Sequence, residues 1–238
     1  YEITYGDWSS DVCSSDLRAE LKHAQQMLLR VQTAADFDRD RFNFLTSLLR
    51  LRQICCHPAL VAKSAATSAK LEALVDVLEP LMAEGQKVLV FSQFVTLIEL
   101  IQPVLEERGW KQFVLTGATE NRGELVKEFQ ATEGAAVFLV SLKAGGFGLN
   151  LTAASYVVLF DPWWNPAVEN QAIDRTHRIG QQRKVMAYRL LIKDSIEEKI
   201  RQLQRTKSAL ANDVLGEERF AQGLSLNDLK FLLAGDTE

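Results

Sequence analysis

Two arginines and a glutamine in the second half of the chain are spaced to lie on one face of a helix. Gln171, Arg175 and Arg178 follow one another at intervals of four and three residues, and side chains at these intervals share a helix face. Pro166 predicts the start of that helix, because proline is tolerated at a first helical position. A glycine-rich turn, residues 145–148, precedes it in the chain. Two guanidinium groups on one stripe near such a turn could clamp an anion.

Two plainer interpretations of these residues remain open at this point. Arg175 and Arg178 could belong to a solvated face and pair with Glu169 and Asp174, and exposed ion pairs of this kind contribute little. Glycine-rich turns are also weak indicators by themselves. Position 151 is leucine, so the third glycine of the dinucleotide-binding fingerprint is missing and a Rossmann nucleotide site is not predicted.

Short apolar runs rich in β-branched residues predict the strands that must position these side chains. They occur at Val88–Phe91, Phe113–Leu115, Ala136–Val140, Tyr156–Phe160 and Val185–Ile192. Helical patterns at Phe94–Arg108 and Arg122–Gln130 separate the first of these runs, and the first four runs are continuously apolar instead of alternating. Such strands are buried on both faces, so the predicted fold class is α/β, with a parallel sheet covered by helices on both sides.

Further helical segments flank the predicted sheet. Ser68–Ala83 is amphipathic with Gly85 as its stop, and Ser195 with Glu198 forms a capping box for a helix to about Ala211. Other helices are predicted at Arg18–Val31, at Phe42–Ile54 with His57 at its end, and at Leu226–Leu233. The opening residues show neither period and are expected to be a non-native or disordered leader. The predicted organisation is a leader (1–17), a helical segment (18–66), the α/β domain with its last helix (67–212) and a tail (213–238).

Composition limits the classes of function that fit the chain. Its 238 residues are 47% hydrophobic and 24% charged, which suits one substantial domain with appendages. No apolar run approaches the roughly 18 residues of a membrane span, so no membrane partner is expected. The expected location is the cytoplasm, with the nucleoid in a bacterium, or the nucleus in a eukaryote. Cys55-Cys56-His57 lacks the spacing of a zinc site, so buried thiols and no metal site are predicted.

The net charge of −4 hides a basic segment. Residues 175–207 contain ten lysines and arginines but three acidic residues, a local net charge of +7. Local field, not total charge, governs attraction to phosphates. This segment is therefore a candidate surface for nucleic acid.

Polar and small residues follow four of the predicted strands. They are Ser92-Gln93, Thr116-Gly117, Lys143 with the glycines after it, and Trp163-Trp164. The carboxyl ends of parallel strands meet at one edge of a sheet, where ligands bind. Hydroxyls, glycine amides and a lysine at that edge suit a sugar-phosphate track, although turn capping uses the same residue types. The tryptophan pair could equally fill a core or an interface.

Five motifs in these regions resemble motifs four, five and six of the Snf-type (switch/sucrose-nonfermenting) ATPases of helicase superfamily two. They occur in family order and at family-like spacing, and the resemblance extends from Leu48 to Lys207. One departure is Thr116, where many members have aspartate. The motifs are KVLVFSQF at 87–94, LTGAT at 115–119, SLKAGGFGLNLTAA at 141–154, DPWWNPA at 161–167 and QAIDRTHRIGQ at 171–181.

The resemblance implies the second RecA-like lobe of an ATP-driven double-stranded DNA translocase. It implies that Arg175 and Arg178 are arginine fingers reaching the γ-phosphate of ATP, with Gly146 and Gln171 lining the same cleft. It further implies contact with DNA by seven residues, of which the last two would guide a strand: Ser92, Gln93, Thr116, Gly117, Lys143, Trp163 and Trp164. ATP and Mg²⁺ would be held mainly by the first lobe of the same protein.

The other half of such an ATPase is not found in this sequence. The sequence contains no G-x-x-x-x-G-K-[ST] loop, which would bind phosphates, and no Asp-Glu pair after a strand, which would bind magnesium. The expected partners are therefore double-stranded DNA, a first RecA-like lobe and a protein–DNA complex to be remodelled. Two alternatives remain open: a lobe of an RNA helicase from the same superfamily, and a non-enzymatic nucleic-acid-binding α/β module.

Overall fold

The computed structural model describes residues 2–7, 14–31, 33–62, 68–145, 151–174, 184–206 and 223–234. The chain divides into two compact units, a sheet unit (1–6, 71–163 and 167–191) and a helical unit (7–70, 164–166 and 192–238). In the described ranges the elements are β1 (Glu2–Asp7), α1 (Ser14–Leu29), α2 (Ala34–Cys56), a 3₁₀ turn (Pro58–Leu60), α3 (Ala69–Ala83), β2 (Lys87–Ser92), α4 (Val95–Glu107), β3 (Gln112–Leu115), α5 (Arg122–Ala131), β4 (Ala136–Ser141), α6 (Leu142–Gly145), β5 (Tyr156–Leu159), α7 (Pro166–Asp174), β6 (Met186–Leu191), α8 (Ile196–Thr206) and α9 (Leu226–Leu233).

The sheet of the described residues has the strand order β1-β6-β5-β2-β4-β3. All pairings among β2 to β6 for which the register is known are parallel. Every side chain of β4 is buried, and only the first residue of β2 and of β5 is partly exposed. The predicted α/β fold with a parallel sheet covered on both faces is confirmed.

The core of the sheet unit is built from apolar strand residues and an aromatic cluster. Phe113 of β3, Phe129 of α5 and Phe138 of β4 lie with ring centroids 4.9 to 5.9 Å apart. Phe113 meets the other two rings edge-on, a geometry that aromatic quadrupoles favour. This cluster fixes α5 against the strands that precede and follow it.

The helical unit has a separate core formed by α1, α2, α8 and α9. Its buried side chains include Phe44, Leu48 and Leu51 of α2, Ile200 of α8 and Leu229 of α9. Helix α2 begins at Ala34, eight residues before the predicted start. Thr33 and Asp36 form a capping box there, with the Asp36 N–H donating to the Thr33 hydroxyl at 3.2 Å. The prediction rested on apolar spacing, which is weak in this polar first part of the helix.

A buried ion pair joins α3 to α8 within the helical unit. Lys70 Nζ lies 2.5 Å from Glu197 Oε1, and both side chains are at most 1% exposed. Burial by itself lowers the pKa of Lys70, but the Glu197 carboxylate and the neighbouring Cys56 and Cys55 side chains together outweigh burial, and the pKa is raised. Lys70 therefore stays charged at neutral pH, and the stability from its pairing is lost only as the pH rises through this raised pKa.

Ser195 caps α8, but neither of the two bonds of the predicted capping box is formed. The Ser195 hydroxyl accepts the N–H of Glu197, the second helical residue, at 3.1 Å instead of that of the third. Glu198, however, accepts the N–H of Asp194 at 2.9 Å instead of that of Ser195. Asp194 has a positive φ of 55°, and this turn brings its amide, not that of the cap residue, toward the first helical turn.

Part of the opening segment has regular structure, although its sequence shows neither the helical nor the strand period. Residues 2–7 form strand β1 beside β6 at one end of the sheet, and α1 begins at Ser14. The sequence EITYGD contains β-branched and aromatic residues, and a sheet edge offers unpaired backbone groups to such a strand. The origin of this segment stays a prediction. Within the described ranges, none of the helices combines the length and apolar character needed to cross a bilayer.

His57 ends α2, as predicted, and also begins the 3₁₀ turn after it. Its Nδ1 accepts the N–H of Ala59 at 3.1 Å, so the ring must be neutral at that nitrogen to cap the turn. Burial lowers the pKa of His57 from its usual 6.5. Below pH 6.5 the unfolded chain therefore binds a proton at His57 more readily than the folded chain does. The stability that His57 contributes is lost as the pH falls through this range.

We expect the free energy of unfolding to fall less steeply between pH 7 and pH 5 in His57→Asn than in the parent chain. Asparagine keeps a capping acceptor but does not titrate, and one proton accounts for at most about 1.4 kcal/mol per pH unit. Urea unfolding at a series of pH values measures the two slopes. Parallel curves would contradict a titrating cap at this position.

Candidate nucleotide and DNA interface

Four strands end at the same edge of the sheet unit. Ser92 at the end of β2 pairs with Ser141 at the end of β4, Leu115 of β3 pairs with Val140, and Leu159 of β5 pairs with Phe91. Because the strands are parallel, the loops that follow them leave the sheet side by side. The structure therefore brings together the chain segments that carry the predicted DNA-binding residues.

Ser92 and Gln93 are tied to a buried carboxylate at this edge. The Ser92 hydroxyl donates to Asp161 Oδ1 at 2.6 Å, and the Gln93 N–H lies 3.3 Å from both carboxylate oxygens. Ser92 also accepts the N–H of Phe94 at 3.1 Å, and its side chain is buried. The hydroxyl is thus used within the protein, and its contact with DNA stays a prediction. The sequence predicted no role for the Asp161 side chain.

Thr116 and Gly117 form a turn that is closed by its own hydrogen bonds. Thr119 Oγ1 accepts the N–H of Thr116 at 3.0 Å, and Arg122 donates to the Gly117 carbonyl at 2.9 Å. Gly117 is exposed, and a Cβ added there would meet no atom within 4 Å. Internal packing therefore does not require glycine at this position, and an external molecule can approach its backbone. Arg122, which stiffens the turn, was missed by sequence reasoning.

The remaining anion-binding candidates lie at or beyond the limits of the described residues. Lys143 is in the one-turn helix α6 directly after β4, so its backbone is at the shared edge, but its side chain is outside the described set. Gly146, Arg175 and Arg178 also lie outside the described residues. Gln171 is described, and it is exposed on α7.

Both tryptophans are buried, each in the core of its own unit. Trp163 is 5% exposed among the apolar side chains of the sheet unit. Trp164 is 4% exposed in the helical unit, where the Arg52 guanidinium lies 5.0 Å from its ring centroid. That distance is within the range of a cation–π contact. Core filling, the plainer interpretation, describes both rings here, and their contact with DNA stays a prediction.

Glu169 in the first turn of α7 is not part of a solvated ion pair. Its carboxylate is fully buried, accepts the Trp163 N–H at 2.8 Å and accepts from Arg189 Nε at 2.9 Å. Arg189 lies on β6 and its side chain is 3% exposed. The alternative in which Arg175 and Arg178 pair with Glu169 on the surface therefore loses one of its two acids. Sequence reasoning missed this buried pair.

The buried charges also change the count for the basic segment. Arg189 is neutralised inside the sheet unit by Glu169, and Glu197 is neutralised inside the helical unit by Lys70. Neither contributes to the field felt by a phosphate outside. Among the described residues of this segment, Lys184, Lys193 and Arg205 are exposed cations and Asp194 is an exposed acid. The charges that face solvent therefore differ from those counted in the sequence.

The described residues do not by themselves form a complete nucleotide site. In the described ranges there is no group of three or more His, Cys, Asp or Glu that could hold a metal ion. Gln171 is the one predicted nucleotide-site side chain among the described residues, and an amide can only hydrogen-bond a phosphate or a water. Magnesium is therefore not assigned to any residue described here.

Comparison with known proteins gives consistent relatives. A family model for the helicase conserved C-terminal domain matches residues 69–180. An uncharacterised ATP-dependent helicase of Mycoplasma pneumoniae is 38% identical over 195 residues, which are 81% of this chain and 19% of that protein. The chain thus spans about a fifth of the length of this curated relative.

Solved structures of Sulfolobus solfataricus agree with the sequence matches. The SWI2/SNF2 ATPase C-terminal domain is 28% identical with a TM-score of 0.75, and the match covers 99% of this chain and 98% of that one. The SWI2/SNF2 ATPase core in complex with double-stranded DNA is 29% identical with a TM-score of 0.79, and the match covers 99% of this chain and 50% of that one. The chain contains a helicase conserved C-terminal domain, and its structural neighbours are C-terminal domains of SWI2/SNF2 ATPases.

Proposed function

We propose that the chain is the second lobe of an ATP-dependent double-stranded DNA translocase and supplies arginine fingers and part of the DNA track. The observation that carries the proposal is the shared edge at which β2, β3, β4 and β5 end, because the candidate segments leave the sheet there side by side. The relative that was solved with double-stranded DNA supports the choice of partner. The substrate that such a translocase remodels would be a protein–DNA complex.

The DNA track would run over the loops that follow β2, β3 and β4. Gly117 offers an open backbone amide, and Lys143 follows β4 at the same edge. Amides, hydroxyls and a lysine contact phosphates without reading base sequence. Ser92 would act mainly by holding its loop, since its hydroxyl donates to Asp161.

The nucleotide would be bound between this chain and a first lobe that holds ATP and Mg²⁺. Gln171 lies on the exposed face of α7, and the helix leads in sequence directly to Arg175 and Arg178. In this role the guanidinium groups stabilise negative charge that develops on the transferring phosphoryl group. A finger of this kind typically contributes about 10³ to 10⁵ in rate.

Two other functions make different demands on the same residues. A lobe of an RNA helicase would share the arginines but prefer single-stranded RNA, so competition between duplex DNA and RNA separates it from the proposal. A non-enzymatic binding module would bind nucleic acid whether or not both arginines are present. Neither alternative is favoured by a particular contact in the described residues.

We expect the 238-residue chain alone to show no ATP hydrolysis stimulated by duplex DNA. Its sequence contains neither a phosphate-binding loop nor an Asp-Glu pair that would bind magnesium. Steady-state phosphate release with and without duplex DNA is the measurement. Phosphate release that duplex DNA stimulates and Arg178→Ala abolishes would show that the chain alone is a complete ATPase. That result would overturn the two-lobe proposal.

Binding of the chain to random-sequence duplex DNA is expected to be weak and steeply salt-dependent. Each phosphate contact contributes about 0.9 to the slope of log affinity against log salt concentration. Lys143→Ala should reduce that slope by about one contact. Lys111→Ala is the matched control, because Lys111 is exposed just before β3, at the opposite edge of the sheet.

Titrations at several salt concentrations give these slopes. Equal slopes for both lysine variants, or marked sequence preference, would contradict a phosphate track at the carboxyl edge.

In the two-lobe ATPase that contains this chain, Arg175→Ala or Arg178→Ala should lower ATP turnover by orders of magnitude with little change in melting temperature. Lysine should not restore turnover, because a point charge lacks the planar fork of donors. Arg108→Ala is the control, since Arg108 is exposed at the end of α4. If both arginine positions were surface ion-pair partners, turnover would stay near that of the parent protein and stability would change by less than about 1 kcal/mol.

A further inference from the structure

The buried carboxylate of Glu169 holds two groups that are distant in sequence. One oxygen accepts the peptide N–H of Trp163 at 2.8 Å, and the other accepts from Arg189 Nε at 2.9 Å. The Glu169 and Arg189 side chains are 1% and 3% exposed. The contact therefore joins the loop after β5, the first turn of α7 and strand β6.

Apolar side chains would fill this space at less cost. A buried ion pair gains little over a well-packed apolar pair of similar volume, because both charges must leave water. What it adds is direction, since a carboxylate accepts only along its lone pairs and a guanidinium donates in a fixed fork. The geometry of the contact, not its contribution to stability, is the property to explain.

The two partners of Glu169 are themselves fixed. Arg189 is in β6, where its backbone is paired in register with Leu159 of β5. The Trp163 ring is buried in the core of the sheet unit. Among the described residues Arg189 Nη1 has no hydrogen-bond partner, so Glu169 is its principal anchor. A carboxylate between two fixed groups sets the position and rotation of the helix turn that carries it.

We propose that Glu169 is a positioning residue that, through the Trp163 N–H, fixes the first turn of α7 on the sheet and so sets the direction in which this helix leaves the carboxyl edge, with Arg189 as the counter-charge of its buried carboxylate. The inference rests on the proposed function, in which the face of α7 with Gln171 and the arginines after it meet the nucleotide. Glu169 contacts no reacting atom, so it acts through the helix that it holds.

Two double variants separate positioning from stability. Glu169→Met with Arg189→Met removes both charges and the acceptor of the Trp163 N–H. Glu169→Gln with Arg189→Met also removes both charges, but it keeps a carbonyl that can accept that N–H. Both replace the pair without leaving one charge buried alone, which is the change that would unfold the domain.

Hydrogen exchange measured on the 238-residue chain tests the contact between the Trp163 N–H and Glu169 directly. The peptide to follow spans residues 160–166. We expect exchange at Trp163 to be faster by at least about tenfold in the Met/Met variant and close to the parent rate in the Gln/Met variant, because opening free energy sets protection. Equal protection in both variants and the parent would overturn the inference. This readout does not depend on catalysis.

ATP turnover of the two-lobe ATPase measures the effect of the lost contact on catalysis. In the Met/Met variant kcat should fall by at least about tenfold with KM for ATP within about twofold, because only interactions of the transition state are lost. The Gln/Met variant should recover most of kcat. Lys70→Met with Glu197→Met, which removes the other buried pair, is the control and should leave kcat near that of the parent protein.

The possible results distinguish the two proposals. Unchanged kcat in Met/Met while Arg178→Ala is inactive overturns the positioning role alone. Unchanged kcat in Arg175→Ala and Arg178→Ala overturns the proposed function, and the exchange data still decide whether Glu169 holds the loop. A fall in kcat of similar size in the control pair would make the effect one of general stability and would also overturn the inference.

Discussion

The parallel pairing of β5 with both β2 and β6 is the constraint on which the rest of the described site depends. Because β5 lies between these strands, the residues just after it can reach groups on either side. Asp161 reaches the loop after β2, and Glu169, soon after β5 in the chain, reaches Arg189 on β6. A shift of β5 by one residue would turn its side chains to the other face of the sheet and would displace both contacts.

Stability and geometry are supplied by different interactions in this domain. Apolar burial drives folding but has little directional preference, and the continuous apolar strands leave the loops at the edge free to adopt several arrangements. Buried polar groups narrow that choice, since each demands a partner at hydrogen-bond distance. Asp161 and Glu169 meet this demand with partners from other elements. Their main effect is therefore to select one loop arrangement, whereas the aromatic and aliphatic core stabilises the fold.

The sequence predicted strands β2 to β6 and helices α3, α4, α5 and α9 to within a residue or two, because period and residue type are local signals. It did not predict the partner of Ser92, which is 69 positions away, or that of Glu169, which lies on another strand. Such partners depend on which strands become neighbours, and strand order is not encoded in any single segment. Trp163 and Trp164 show the same limit, since adjacent and identical residues enter different cores. The arginines of the proposed site lie outside the described residues, and their roles rest on the family alone.

The short segment from Asp161 to Trp163 gives a physical route between the two proposed functions of the chain. Its first residue holds the loop of Ser92 and Gln93, which follows β2, and its last amide is held by Glu169 of α7. A shift of α7 that moved this amide would strain the hydrogen bonds two residues earlier, because the peptide planes between them have few free torsions and Pro162 fixes one of these. Coupling of DNA contact to nucleotide turnover requires an element whose arrangement both ligands bias. A segment with buried hydrogen bonds at both ends transmits a displacement from one end to the other more directly than an exposed loop of the same length.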